Sequence, residues 1–184
     1  MFHKINILTC LSCAFAVYTA HAQHADFTVT ELERYEVPWA LEFLPDGRLL
    51  ISEMAGALKL RSADGAIGEI TGLPEISHGG QGGFGDVVLH PDFEENNLVY
   101  MSYVEPGDGD TRGAAVARAE LSLSGNRGEF TDLEVVWRQV PKVSGQGHYG
   151  HRIAFGPDGY LWISSGDRQK FDPSQDLGTN IGKV

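Results

Sequence analysis

Ile153-Ala154-Phe155-Gly156-Pro157-Asp158-Gly159, running into Leu161-Trp162-Ile163, reads as a strand, a tight turn and a second strand. Proline presets φ for the turn, aspartate bonds back to its own backbone, and glycine tolerates the conformation that follows. The phrase has two earlier copies. One is Leu41-Glu42-Phe43-Leu44-Pro45-Asp46-Gly47 before Leu49-Leu50-Ile51; the other is Val88-Leu89-His90-Pro91-Asp92-Phe93 before Leu98-Val99-Tyr100-Met101. The copies lie roughly 46 and 66 residues apart, and hairpins repeating at about that period point to the blades of a β-propeller. A propeller gathers equivalent loops of successive blades around one axis, so residues distant in sequence can share one site.

Between these copies the apolar residues alternate or cluster in runs of four to six, punctuated by Gly, Pro, Asp and Asn. That is the all-β pattern, with no long amphipathic helix after the N-terminal stretch. Three units are expected, over about Asp26–Pro74, Glu75–Leu123 and Glu129–Asp167, the last trailing into Gly178-Thr179-Asn180-Ile181-Gly182. A closed propeller typically has about four to eight blades, and three would leave sheet edges uncovered. Residues 23–184 are therefore read as a partial propeller, about the first half of a longer one.

The first 22 residues are read as an export signal. His3 and Lys4 give a short basic start, an apolar run extends from Ile5 to about Tyr18, and Ala20-His21-Ala22 fits the cleavage pattern before Gln23. The run is too short for a confident membrane span. A lipid-anchored start at Cys13 is the alternative. Export predicts a periplasmic or secreted protein. Both cysteines, Cys10 and Cys13, lie in this segment. The mature chain then has no disulfide scaffold, thiol nucleophile or cysteine-ligated metal. The formal net charge of −11 argues against a nucleic-acid or anionic-membrane surface and suits neutral small molecules.

In an antiparallel pair the start of one strand lies beside the end of the next. His148 precedes the first strand of the third hairpin and Asp167 follows its second, so both belong to the hairpin's open end. An imidazole beside a carboxylate is the arrangement of a general base, the carboxylate fixing the tautomer. A surface histidine and a turn aspartate would give the same spacing. Gln81 stands ten positions before Pro91, as His148 stands nine before Pro157. Blade symmetry would put both on one face near the axis, where the Gln81 amide could hold a polar ligand or simply bond local backbone.

Gly80-Gln81-Gly82-Gly83-Phe84-Gly85 contains the G-x-G-x-x-G spacing within its glycines, but a strand, not a helix, follows it. A dinucleotide site is excluded, and close backbone approach explains the glycines better. His148 and His151 stand three apart on an extended segment and face opposite ways, which argues against a metal pair. Asp108 and Asp110 belong to a hairpin tip, His78 and His90 to surface or turns, and no metal ligand is assigned.

Taken together, four segments resemble a known family. His78-Gly79-Gly80-Gln81-Gly82-Gly83-Phe84-Gly85-Asp86-Val87-Val88-Leu89-His90-Pro91-Asp92-Phe93 is similar to the glutamine-bearing segment of soluble quinoprotein sugar dehydrogenases. Gly147-His148-Tyr149-Gly150-His151-Arg152-Ile153-Ala154-Phe155 resembles their catalytic-histidine segment, and Ile163-Ser164-Ser165-Gly166-Asp167 the stretch after it. The opening Val37-Pro38-Trp39-Ala40-Leu41 is also similar. The family is the glucose/sorbosone dehydrogenases, in particular their aldose dehydrogenase branch.

The resemblance implies a six-bladed propeller, of which this chain would carry about the first three blades. It implies pyrroloquinoline quinone as cofactor, held near the axis with calcium, and a sugar substrate with an external electron acceptor. His148 would be the general base, Asp167 would orient and polarise it, and Gln81 would touch cofactor or substrate. Gly147 departs from the asparagine often found there. The calcium ligands and the cationic partners of the quinone carboxylates belong to later blades, so the chain alone is expected to be inactive. A lactonase-type propeller hydrolase with axial carboxylate metal ligands is the alternative, and so is a propeller serving only as a binding module. Of the matching loops only Glu36 offers an acidic ligand.

Overall fold

The computed structural model describes residues 27–184, of which 32–184 form one unit and 27–31 carry no helix or strand. The expected export signal, its cleavage before Gln23 and both cysteines lie outside the described residues.

Each proline-containing turn of the repeat does join two antiparallel strands. The first blade is a four-stranded meander of β1 (Pro38–Phe43), β2 (Leu49–Glu53), β3 (Ala57–Arg61) and β4 (Ile67–Thr71). The second repeats it with β5 (Phe84–Leu89), β6 (Leu98–Pro106), β7 (Arg112–Ser124) and β8 (Arg127–Arg138). The third begins with the β9 (Gly150–Phe155) and β10 (Leu161–Ser165) hairpin. Inner strands succeed one another, β1 packing on β5 and β5 on β9. At the outside β4 and β8 run parallel for a short stretch, Ile70 opposite Gly128 and Thr71 opposite Glu129. Two complete blades and the start of a third are thus the first part of a β-propeller. Glu129–Arg138, expected to open the third unit, is instead the outermost strand of the second.

The buried faces explain why the blades stack. Along β6, Val99, Met101 and Tyr103 join a core with Leu50, Leu58, Leu60 and Ile70 of the first blade. The intervening Tyr100 packs with Ile153 of β9, Phe155 and Ile163. Successive side chains of a strand point to opposite faces, so a strand between two blades is apolar on both. Ala115, Ala117 and Ala119 of β7 are fully buried, and their small side chains let the sheets approach. A buried Leu or Phe contributes about 1.5–3 kcal/mol, whereas exposed ion pairs contribute about 0–1 kcal/mol. The blade interfaces therefore dominate over rim pairs such as Arg118–Glu134, whose side chains are 41% and 58% exposed.

Polar links also cross the blade interfaces, among them Ser52 Oγ–H to Gly85 O at 2.7 Å and Ser102 Oγ–H to His151 O at 2.6 Å. The buried Asp86 carboxylate on β5 accepts from the Ile153 N–H at 2.9 Å and from the Arg152 guanidinium at 3.0 Å, both on β9. That guanidinium lies 4.8 Å from the ring centroid of Trp39 on β1. Burial pushes the Asp86 carboxyl up, although the Ile153 N–H and the Arg152 charge act the other way. Among the described residues no helix is long and apolar enough to cross a membrane.

Candidate active site

The loops entering β5 and β9 meet at one end of the blades. Gln81 donates its N–H to the Gln146 carbonyl at 2.8 Å and accepts the His148 N–H on its side-chain oxygen at 2.9 Å. Because a backbone N–H can only donate, the atom facing it must be Oε1, which turns Nε2 away. Gln81, expected to meet a cofactor or substrate, thus spends its oxygen on His148 and keeps its NH2 donors for anything bound alongside.

Glycines let these loops touch. A Cβ at Gly82 would overlap the Tyr149 ring, and one at Gly166 would overlap the His148 carbonyl oxygen. The glycine-rich run before β5 is therefore a close-approach surface, followed by a strand as its sequence predicts.

His148 and Asp167 come together as the hairpin argument predicts. His148 Nδ1 lies 2.7 Å from Asp167 Oδ1. Asp167 also accepts the Gln169 N–H at 3.1 Å. The Gln169 N–H first, and the His148 ring next, hold the Asp167 carboxyl below the usual carboxylate range. An ionised carboxylate only accepts, so Nδ1 carries a hydrogen, and in the neutral ring the lone pair is on Nε2. The His148 side chain is half exposed, so that lone pair is reachable from solvent.

The backbone around His148 is over-determined. Its φ is +50°, a left-handed conformation that histidine adopts more readily than most residues. Its N–H goes to Gln81, and its carbonyl accepts the Arg168 N–H at 3.1 Å. Tyr149 O accepts the Gly166 N–H at 2.9 Å. Within the hairpin Ile153 pairs with Ile163 and Gly150 with Ser165, so β9 carries one extra residue between them. Bulges of this kind re-aim side chains next to sites.

The two histidines have different surroundings, His148 half exposed and His151 buried. His151 is 3% exposed, stacked on Tyr149 at 5.4 Å and edge-on to Trp39 at 5.9 Å. Both its ring nitrogens are buried without a hydrogen-bond partner among the described residues. Burial pushes its pKa down to about 4, so the ring is neutral. Among the described residues no group of three or more His, Cys, Asp or Glu side chains could hold a metal ion. Asp108 lies, as expected, in a hairpin tip, its carbonyl accepting the Thr111 N–H.

Sequence reasoning missed Arg168. It is 1% exposed, and its guanidinium lies 3.7 Å from the Tyr149 ring centroid. Arginine is almost never fully buried, so composition gave no sign of it.

A family model described as glucose/sorbosone dehydrogenase matches residues 35–184, which include Gln81, His148 and Asp167. The chain belongs to the glucose/sorbosone dehydrogenase family. Aldose sugar dehydrogenase YliI of Escherichia coli K12 is 37% identical over 180 residues, covering 96% of this chain and 47% of that protein. The chain thus spans about half the length of this curated relative. The crystal structure of the soluble aldose sugar dehydrogenase from Escherichia coli in its apo-form matches with TM-score 0.76 and 38% identity, over 80% of this chain and 42% of that one. The PQQ-bound form of aldose sugar dehydrogenase from Streptomyces coelicolor matches with TM-score 0.69 and 28% identity, over 81% and 43%. The two complete blades and the β9–β10 hairpin are this family's fold, as far as the chain extends.

Proposed function

We propose that the complete protein is a pyrroloquinoline quinone-dependent sugar dehydrogenase, exported to the periplasm or secreted. It oxidises the anomeric carbon of aldoses to lactones. The observation that carries this reading is the His148–Asp167 contact, made by a half-exposed histidine whose backbone N–H is held by the Gln81 side-chain oxygen. Named relatives that are dehydrogenases support it over a lactonase-type hydrolase.

His148 Nε2 takes the proton of the anomeric hydroxyl as the C–H electron pair departs. Asp167 stabilises the imidazolium that forms and keeps the ring from turning. Gln81 fixes the histidine backbone with its oxygen and offers its NH2 to the ring edge of the cofactor or to a substrate hydroxyl. This donor set suits a polar quinone edge. When bound, the quinone would supply the hydride acceptor, its electrons then being removed by an external acceptor. No calcium ligand and no partner of the quinone carboxylates is assigned among the described residues.

The test uses the complete protein, incubated with the quinone and calcium. Dye reduction is then followed across a panel of aldoses. Quinone-dependent dye reduction with lactone formation is expected. Quinone uptake without oxidation of any aldose would overturn the proposal.

A further inference from the structure

We propose that Arg168 is a positioning residue that acts through His148 and holds the base in its working orientation; this rests on the reading of His148 as the base. Arg168 sits directly after Asp167, yet its side chain turns inward beneath the loop that carries His148. Nε donates to Gly147 O at 2.9 Å, and Nη2 to Gly145 O at 2.7 Å. Nη1 donates to Arg112 O at 2.9 Å and, at 3.4 Å, to Gln139 Oε1. The plane covers Tyr149, the residue after His148, and the Arg168 N–H takes the His148 carbonyl. One residue therefore binds the chain at 145, 147, 148 and 149.

The cost of this arrangement argues that it is selected for geometry. A buried cation without a carboxylate partner is expensive, and none of the guanidinium's acceptors is a carboxylate. An apolar side chain would fill the same space more cheaply. Only a planar fork of donors can collect several carbonyls in fixed directions. Two of the guanidinium's carbonyls, Gly145 O and Gly147 O, lie in the loop just before the left-handed His148, whose own carbonyl takes the Arg168 N–H, while Arg112 O ties the fork to β7. The Asp167 carboxylate approaches from the same turn, so Arg168 sets both halves of the pair.

The experiment is a double-mutant cycle in the complete, quinone-loaded protein, comparing Arg168→Lys, His148→Ala and the combination. Turnover is expressed per bound quinone, alongside quinone affinity and KM. Arg168→Lys keeps the charge but loses the fork. It is expected to lower kcat about 10- to 100-fold at near-unchanged KM and quinone affinity, the usual effect of a misplacement of about 1 Å. In the His148→Ala background Arg168→Lys should cost nothing further. Arg168→Met is read the same way. An additive loss, an unchanged kcat, or a loss of quinone uptake together with turnover would each overturn the positioning role. Unchanged turnover in His148→Ala alone would instead remove the base reading.

Discussion

Asp167 Oδ1 lies 2.7 Å from His148 Nδ1 across the open end of the β9–β10 hairpin, although nineteen positions separate the two residues. The contact chooses the tautomer. A donor in place of the carboxylate would reverse that choice.

Asp167→Asn removes the charge without changing size. The Gln169 N–H, which can only donate, would hold the amide oxygen where Oδ1 now lies, so Nδ1 would keep an acceptor but the imidazolium would lose its counter-charge. In the complete protein kcat should fall roughly 10²–10⁴-fold, with quinone binding little changed. Steady-state kinetics and quinone titration check this. A wild-type kcat would mean that Asp167 does not govern the ring.

Gly166→Ala tests the close approach behind the histidine. Its Cβ would overlap the His148 carbonyl oxygen, and backbone, not a flexible side chain, would have to give way. Overpacking of this kind costs about 1–3 kcal/mol. Thermal unfolding should show that loss, and kcat should fall at least about 10-fold as His148 shifts. A variant equal to the wild type in both would contradict the packing.

His151 gives the protein an acid-sensitive window. Its ring ordinarily titrates near 6.5 and is held to about 4 by burial in the fold. Above pH 6.5 the ring is neutral whether folded or unfolded, and stability is unaffected. Between pH 6.5 and 4 the unfolded chain takes up a proton that the folded chain refuses, so stability falls as pH falls. The loss should approach about 3 kcal/mol by pH 4. His151→Phe keeps the stacking with Tyr149 and should flatten that part of the denaturation profile. An equally steep profile in the variant would assign the acid lability elsewhere.

The legible parts of this chain were those where pairing geometry converts spacing into contact. The Pro–Asp turns marked the hairpins, and antiparallel pairing placed His148 beside Asp167. The near-equal offsets from Pro91 and Pro157 put Gln81 beside His148, although its oxygen meets the histidine backbone. The boundary between the second and third units was not legible. Gly125 and Asn126 form a two-residue hairpin loop between β7 and β8, and in sequence such a turn looks like a break between blades. The bulge in β9 was hidden too, because a single extra residue leaves no mark in the apolar pattern. Nothing in the sequence singles out Arg168, which directly follows Asp167. Only the fold shows that it lies under the loop, against Tyr149.

The account stands or falls on His148 Nε2 as the group that accepts the substrate's proton. In the complete, quinone-loaded protein, dye-coupled aldose oxidation by His148→Ala measures this directly. Turnover is predicted to drop roughly 10²–10⁴-fold while the quinone stays bound. Turnover equal to that of the unaltered protein would contradict it.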